Sequence, residues 1–355
     1  MSLGISPCPP FGNRAGLPPG SLYDGNTVAW YKYNDPVAGV VRDGADRVSV
    51  WLDKMGYSIS ADLLGGYDFN DGTWVSALAA GAVVNSTTFS SAGANGGIRK
   101  NNIVIIGGFY KCVVSGNSPI PDVRFRSYGG GIYNSLAPAG GAFDLIFYFT
   151  ATDLGFGFSG DGPGNITINS FTVQLITGNH LLQATGADQP LWSAADGVLF
   201  DGVTEFMKTA TFIYTQPCFI YLVFRQITWM LNRRIFDADI VNDMRILQNP
   251  VTHELRASAG IGSPSDNSLN LNNFGIIRVL YHGINSTFQI NNNAVNNGNW
   301  GAGDANGLTL GCQGNGGGGY ANIEVKEIIL RNIVDVPVTQ TEINNYLQNA
   351  NGVTF

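Results

Sequence analysis

The strongest constraint on the fold is a pattern that recurs between residues 67 and 176. Short runs rich in β-branched and aromatic residues lie at 81–89, 103–106, 109–114, 123–126, 143–150 and 166–175. They alternate with turn-forming stretches at 95–97, 116–117, 129–131 and 160–162. Regularly spaced short strands between such signals predict a β-sandwich. A second series follows at 198–200, 212–224, 235–236, 254–259, 274–281, 286–290, 308–311 and 322–330. Its Asn- and Gly-rich intervals at 267–273, 291–299 and 314–319 read as hairpin tips and surface loops. Two earlier strands are expected at 28–33 and 48–51. One helix is expected, at the C-terminal end of the sequence. Thr339 and Glu342 form a capping-box pattern, Ile343 and Leu347 lie one turn apart, and Asn351-Gly352 supplies the stop. The expected fold class is therefore all-β, antiparallel, with a short C-terminal helix.

Composition excludes several alternatives. Hydrophobic residues make up 44% and aromatics 11%, so a core is available and disorder is excluded. No heptad is present, and the 47 glycines are aperiodic, which excludes coiled coil and collagen. The net charge of −7, with no clustered Lys or Arg, argues against a nucleic-acid partner. The longest apolar stretch, 212–231, is broken by Gln216, Pro217, Arg225 and Gln226, so no membrane insertion is expected. The N-terminus has no basic segment leading into an apolar one, so no signal peptide is expected either. Residues 1–21 hold Pro7, Pro9, Pro10, Pro18 and Pro19 and read as an extended arm.

Catalytic patterns are missing from the sequence. Cys8, Cys112, Cys218 and Cys312 are too widely spaced for a metal knuckle, and His180, His253 and His282 are scattered. Glycoside hydrolysis needs two carboxylates about 5–10 Å apart on one face. Glu324 and Glu327 are three apart, which strand alternation puts on opposite faces, and Asp201 and Glu205 flank a strand-to-turn segment at Gly202. The 157–160 stretch Gly-Phe-Ser-Gly is followed by Asp161 where a nucleophile elbow needs glycine. The 314–319 glycines lack the Lys-Ser/Thr of a phosphate loop. The chain is expected to be non-enzymatic.

Three stretches resemble the laminin-G/concanavalin-A-like jelly-roll superfamily. They are Val28-Ala-Trp-Tyr-Lys32 with Val48-Ser-Val-Trp-Leu-Asp-Lys54, then Gln183-Ala-Thr-Gly-Ala-Asp-Gln-Pro190 with 197–203, and finally Glu324-Val-Lys-Glu-Ile-Ile-Leu330 with the helix. In that family the W-x-D-K turn and the Q-A-T segment sit close together. Here about 130 residues separate Lys54 from Gln183. The intervening piece is similar to carbohydrate-binding modules of the galactose-binding-like type, on Tyr67-Asp-Phe-Asn-Asp-Gly-Thr-Trp74, Tyr110-Lys-Cys-Val-Val114, 140–149 and 164–173. The organisation implied is an arm at 1–21, one sandwich built from 22–65 and 178–355, and a second sandwich at 66–177 inserted into it.

The seam Thr172-Val-Gln-Leu-Ile-Thr-Gly-Asn-His-Leu-Leu-Gln-Ala-Thr185 resembles structural proteins of tailed bacteriophages. That resemblance implies a virion protein made in the host bacterial cytoplasm and placed on the particle's exterior, as a capsid decoration or a tail- or fibre-associated protein. It would dock on other virion proteins through the arm, form a homo-oligomer, and adhere to host surface polysaccharide. A glycan depolymerase and a secreted lectin are the alternatives. Sugar rings stack on aromatics while polar groups take the hydroxyls. In the inserted module this singles out Trp74, Tyr128 and Tyr133, with Arg124 and Arg126 on one strand face. The competing reading makes Trp74 core and the tyrosines rim packing. No cofactor is expected beyond a structural calcium, which the resemblance would place at Asp68, Asp71 and Asn169; Asn169 stands where the family carries an acidic residue.

Overall fold

A computed structural model describes residues 18–35, 39–55, 58–77, 81–127, 129–238, 244–249, 251, 253–262, 265–314 and 316–355. Residues 1–17 of the expected arm, and Tyr128, lie outside the described residues. The chain divides into two compact units, Met1–Tyr57 with Gly178–Phe355, and Ser58–Thr177. Residues 58–65, assigned to the first sandwich from sequence, belong to the second unit. The strand Ser58–Ile59 pairs with Ile176 and Thr177.

The first unit is built from two eight-stranded sheets. In one, Asn322–Arg331 lies between Gly197–Asp201 and Cys218–Gln226 and also pairs with Thr27–Lys32. The other runs from Val40–Arg42 and Val48–Trp51 through Leu308–Leu310 to Leu255–Ala259. Between the sheets lie Tyr31, Trp51, Ile220, Leu222, Phe236, Ile246, Val325 and Ile328. On the first sheet's other face, Trp30, Phe219, Tyr221, Val223 and Ile329 pack under the terminal helix through Ile343, Tyr346 and Leu347. This explains the apolar run near 218–224. The strand is covered on both faces, so it reads as continuously hydrophobic rather than alternating. Among the described residues no helix is long and apolar enough to cross a membrane.

Asp53 fixes the first unit across the insertion. Its Oδ1 accepts from the backbone N–H of Trp30 (2.9 Å) and Met55 (3.0 Å), and its Oδ2 from that of Asn179 (3.0 Å). His180 Nδ1 accepts from the Asp53 N–H at 3.0 Å. The residues just before and just after the inserted unit are thus hydrogen-bonded to each other.

The helix is Pro337–Asn351, with Val336 at its N-cap and Pro337 in its first turn. The capping box is not used. Proline at the first helical position loses no helical hydrogen bond and sets φ for the turn, so the helix starts two residues before Thr339. Ile343 and Leu347 are buried and Gly352 closes the helix in the left-handed conformation (φ 63°), as expected.

The second unit is one nine-stranded antiparallel network folded into two layers. Its longest strand, Phe156–Thr177, pairs with Val123–Ser127 and Thr88–Lys100 over its first part, and with Phe109–Ser118 over its last. The change of layer follows an irregularity in register between Gly160 and Gly162. The 160–162 signal is therefore a bend inside a strand, where a bulge increases the twist. The 95–97 and 116–117 signals likewise fall inside strands. A side chain at Gly97 would strike the Phe158 carbonyl. Close backbone approach, rather than a turn, requires glycine there. The core is aromatic: the Phe125 ring lies 5.1–5.8 Å from those of Phe147, Phe149, Phe156, Phe158 and Phe171.

Candidate functional site

Of the aromatics singled out from sequence in the second unit, the two described, Trp74 and Tyr133, do not form a platform. Trp74 is a core residue, 6% exposed, with Phe69 edge-on at 4.9 Å and Phe158 stacked at 6.2 Å. Lys100 Nζ lies 5.6 Å from its ring centre. Tyr133 packs on Phe149 at 4.5 Å, and its hydroxyl accepts from the Thr152 N–H at 3.0 Å. Arg124 and Arg126 alternate with Val123 and Phe125, which are fully buried, so they lie on the opposite sheet face from Tyr133. The competing reading of Trp74 and Tyr133 is the one that the packing matches.

The calcium set is not assembled either. Asp68 Oδ1 accepts from the Asn70 N–H at 2.8 Å and caps a short 3-10 turn. Asp71 Oδ1 accepts from the Thr73 N–H at 2.7 Å, and its Oδ2 pairs with Lys100 at 2.7 Å. Partial burial would raise the Asp71 carboxyl, but the bonds from Lys100 and Thr73 outweigh it and hold the group below its usual range. Asn169 is exposed, where the register of Phe156–Thr177 shifts against Phe109–Ser118. Among the described residues no three His, Cys, Asp or Glu side chains are grouped to hold a metal.

The carboxylate pair dismissed on alternation is corrected by a bulge. The register between Asn322–Arg331 and Cys218–Gln226 shifts between Val223 and Phe224. Val325 and Ile328 both face the core, so Glu324 and Glu327 share the helix-covered face. Neither is free for chemistry. Glu324 is ion-paired with Arg225. Glu327 is fully buried and accepts from Trp30 Nε1 (2.7 Å), the Tyr346 hydroxyl (2.8 Å) and Asn351 Nδ2 (2.7 Å).

The cleft that stands out chemically lies in the first unit. It encloses about 520 Å³, and its walls come from residues 268–270 and 272–274, from Asn291, and from 352–355. Local geometry explains why asparagine dominates it. Asn272 and Asn291 hold left-handed backbone (φ 65° and 54°), which asparagine tolerates better than most residues. The loop is tied down by Leu269, 2% exposed, and by the Asn272 N–H donating to the Gln226 carbonyl at 2.7 Å. Asn291 Oδ1 accepts from the Ile276 N–H at 2.9 Å. The left-handed Gly352 turns the chain after the helix, and buried Val353 anchors the last wall. Phe274 carries Lys326 Nζ at 4.1 Å and the Arg225 guanidinium at 4.7 Å from its ring centre.

Asn270, Asn272 and Asn273 are exposed around this cleft. Each amide offers one acceptor oxygen and two donors, which matches the hydroxyls of a sugar. Phe355, 46% exposed, adds an apolar edge. Among the described residues no titratable side chain lines the cleft. General acid–base chemistry needs one, and these side chains offer hydrogen bonds only. The sequence showed these asparagines only as loop residues. The clue available was their density at 267–273 and 291–299.

No family model and no curated protein matches the chain. Among solved structures, it is similar to a truncated AlyQ with CBM32 and alginate lyase domains, at 10% identity, covering 82% of this chain and 99% of that one with a TM-score of 0.28. It is also similar to domains LG4-5 of the mouse laminin α1 chain, at 10% identity, covering 72% and 90% with a TM-score of 0.30. A Bacteroides ovatus protein described as carbohydrate binding matches at 7% identity, covering 77% and 80% with a TM-score of 0.29.

Proposed function

We propose that this chain is a non-enzymatic polysaccharide-binding protein on the exterior of a tailed-phage particle. The observation that carries the binding reading is the cleft: exposed amides converge there, and among the described residues no titratable side chain lines it. The particle context rests on the resemblance of the 172–185 seam alone. The charged fraction of 13%, about half of what is usual, suits copies held at high local density, where mutual repulsion would be unhelpful.

Glycan arrays and calorimetry on the purified chain test the binding reading. A host surface polysaccharide should bind, and Asn270→Ala with Asn273→Ala should weaken it about tenfold through the lost hydrogen bonds. Unchanged affinity in that double variant removes the cleft from the account. Immunogold labelling of particles tests the context.

A depolymerase is the second reading, and one observation favours it. Burial lifts the Glu205 carboxyl from 4.5 to about 7, against the bond it accepts from the Asp201 N–H. A carboxyl raised toward neutrality suits a general acid. Against it, Asp201 Oδ1 already accepts from the N–H groups of Val203, Thr204 and Glu205. Shortening of the polysaccharide by the wild-type chain, abolished in Glu205→Gln, would establish the depolymerase and overturn the non-enzymatic reading.

A further inference from the structure

The second unit carries a second feature, on the outer face of the layer containing Val123–Ser127. Registered pairs across a sheet point to the same side. Arg126 faces Gly157, and Gly157 faces Arg99 on the next strand. Arg124 faces Ser159 one row away. A Cβ built on Gly157 would lie 2.8 Å from the Cβ of Arg99, so the two project to one side. Adjacent strands lie about 4.8 Å apart, so Arg99 and Arg126 stand about 10 Å apart on either side of Gly157, which is itself buried.

The two guanidiniums on Val123–Ser127 converge. Arg124 Nη1 donates to Asn95 Oδ1 at 3.1 Å and Arg126 Nη1 donates to the same oxygen at 2.6 Å. Arg126 Nε donates to the Gly130 carbonyl at 3.0 Å. Asp122 lies 3.5 Å from Arg124 Nη2. Among the described residues Arg126 has no carboxylate partner, and its Nη2 has no acceptor. A neutral amide oxygen is thus shared by two cations. Beneath them, Ser159 is 1% exposed and its hydroxyl has no hydrogen-bond partner. Buried polar groups are nearly always satisfied. Burial and the neighbouring Arg124 charge also hold the Arg126 guanidinium below its usual range.

We propose that the converging Arg124 and Arg126 guanidiniums form a binding subsite for a carboxylate of an acidic, uronate-containing polysaccharide. Arg126 Nη2 and the Arg124 guanidinium take the carboxylate oxygens, and the sugar ring lies beside them on the outer face of the sheet. Arginine's planar fork matches a carboxylate better than a point cation would. The proposal rests on the polysaccharide-binding reading but not on the asparagine cleft, and the two can fail separately.

The test is calorimetry on the full chain with oligogalacturonate, its methyl ester and a sulfated galactan oligosaccharide. The acid form should bind about tenfold or more tighter than the ester, an advantage that falls with added salt. Arg126→Gln should abolish that preference. Asn95→Asp should abolish it too, because a built-in carboxylate then occupies both guanidiniums. The latter should raise the melting temperature of the second unit, so a loss of binding is not a loss of fold. Binding of neutral glycan by the first unit should be unchanged in both variants. Equal affinity for acid and ester, an undiminished preference in Asn95→Asp, or tight binding of the sulfated probe alone would each overturn the carboxylate subsite.

Discussion

Glu327→Ala should be among the most destabilising single substitutions in the first unit, while Glu327→Gln should be nearly neutral. The carboxylate is fully buried and joins the first strand to the end of the chain. It accepts from Trp30, which is 297 positions away in sequence, and from Tyr346 and Asn351 of the helix. Alanine leaves three buried donors without an acceptor. Each orphaned donor costs about 1–3 kcal/mol, so the loss should be on the order of 3–9 kcal/mol. Glutamine keeps an oxygen for Trp30 and Tyr346. Its Nε2 can donate to Asn351 after that amide turns over, and Asn351 Oδ1 is buried without a partner in the wild type. Burial raises the Glu327 carboxyl above its usual range, against the opposing effects of Lys32 and the three bonds. A group raised on folding stabilises most below its unfolded pKa, and that contribution fades as pH climbs through the folded value. Glutamine does not titrate, so Glu327→Gln should gain on wild type as pH rises. Urea unfolding at several pH values, followed by tryptophan fluorescence, measures all three proteins. A loss under about 1 kcal/mol in Glu327→Ala, or equal losses for alanine and glutamine, would refute the reasoning.

Three further outcomes are expected. Glu205, raised from 4.5 to about 7 chiefly by burial, favours the folded state below the unfolded pKa and loses that advantage as pH passes 7. After discounting for its partly exposed carboxyl, wild type should lose roughly 1–2 kcal/mol relative to Glu205→Gln between pH 4 and 8, read from paired thermal melts. Asp53→Ala removes the acceptor for the Trp30, Met55 and Asn179 N–H groups, so hydrogen exchange at those amides should accelerate and the first unit should lose about 3 kcal/mol. Replacing residues 58–177 by a two-glycine link should leave a folded first unit, checked by its amide spectrum, since Ser58 and Thr177 are direct strand partners.

The sequence made the antiparallel strands, the aromatic core and the helix legible because each depends on local periodicity. Ile343, Leu347 and Gly352 stand where spacing put them. It misread features whose cause is non-local. Glycines at 97 and 160 looked like turns because nothing local reveals the backbone or side chain that a Cβ would meet. Glu324 and Glu327 seemed to face apart because alternation holds only in an unbulged strand, and the bulge is set by the neighbouring strand. Trp74 looked available for stacking beside a loop, yet Phe69 and, from a distant strand, Phe156 and Phe158 lie within 6.2 Å of it. The cleft was hidden for a related reason. Its walls at 268–274, Asn291 and 352–355 meet only after the sheet and helix have formed.

The bonds from Asp53 to Asn179, and from His180 to Asp53, have a consequence for how such chains change over time. The first unit is already latched at the mouth of the insertion, so its folding makes little demand on what is strung between residues 58 and 177. The second unit brings its own ends together as paired strands at Ser58 and Thr177. A recombination event that swaps this stretch for another sandwich with adjacent ends therefore breaks no pairing in the host. The latch is a cassette socket, and whatever surface the second unit presents becomes exchangeable as a block, without waiting for point mutations to remodel it.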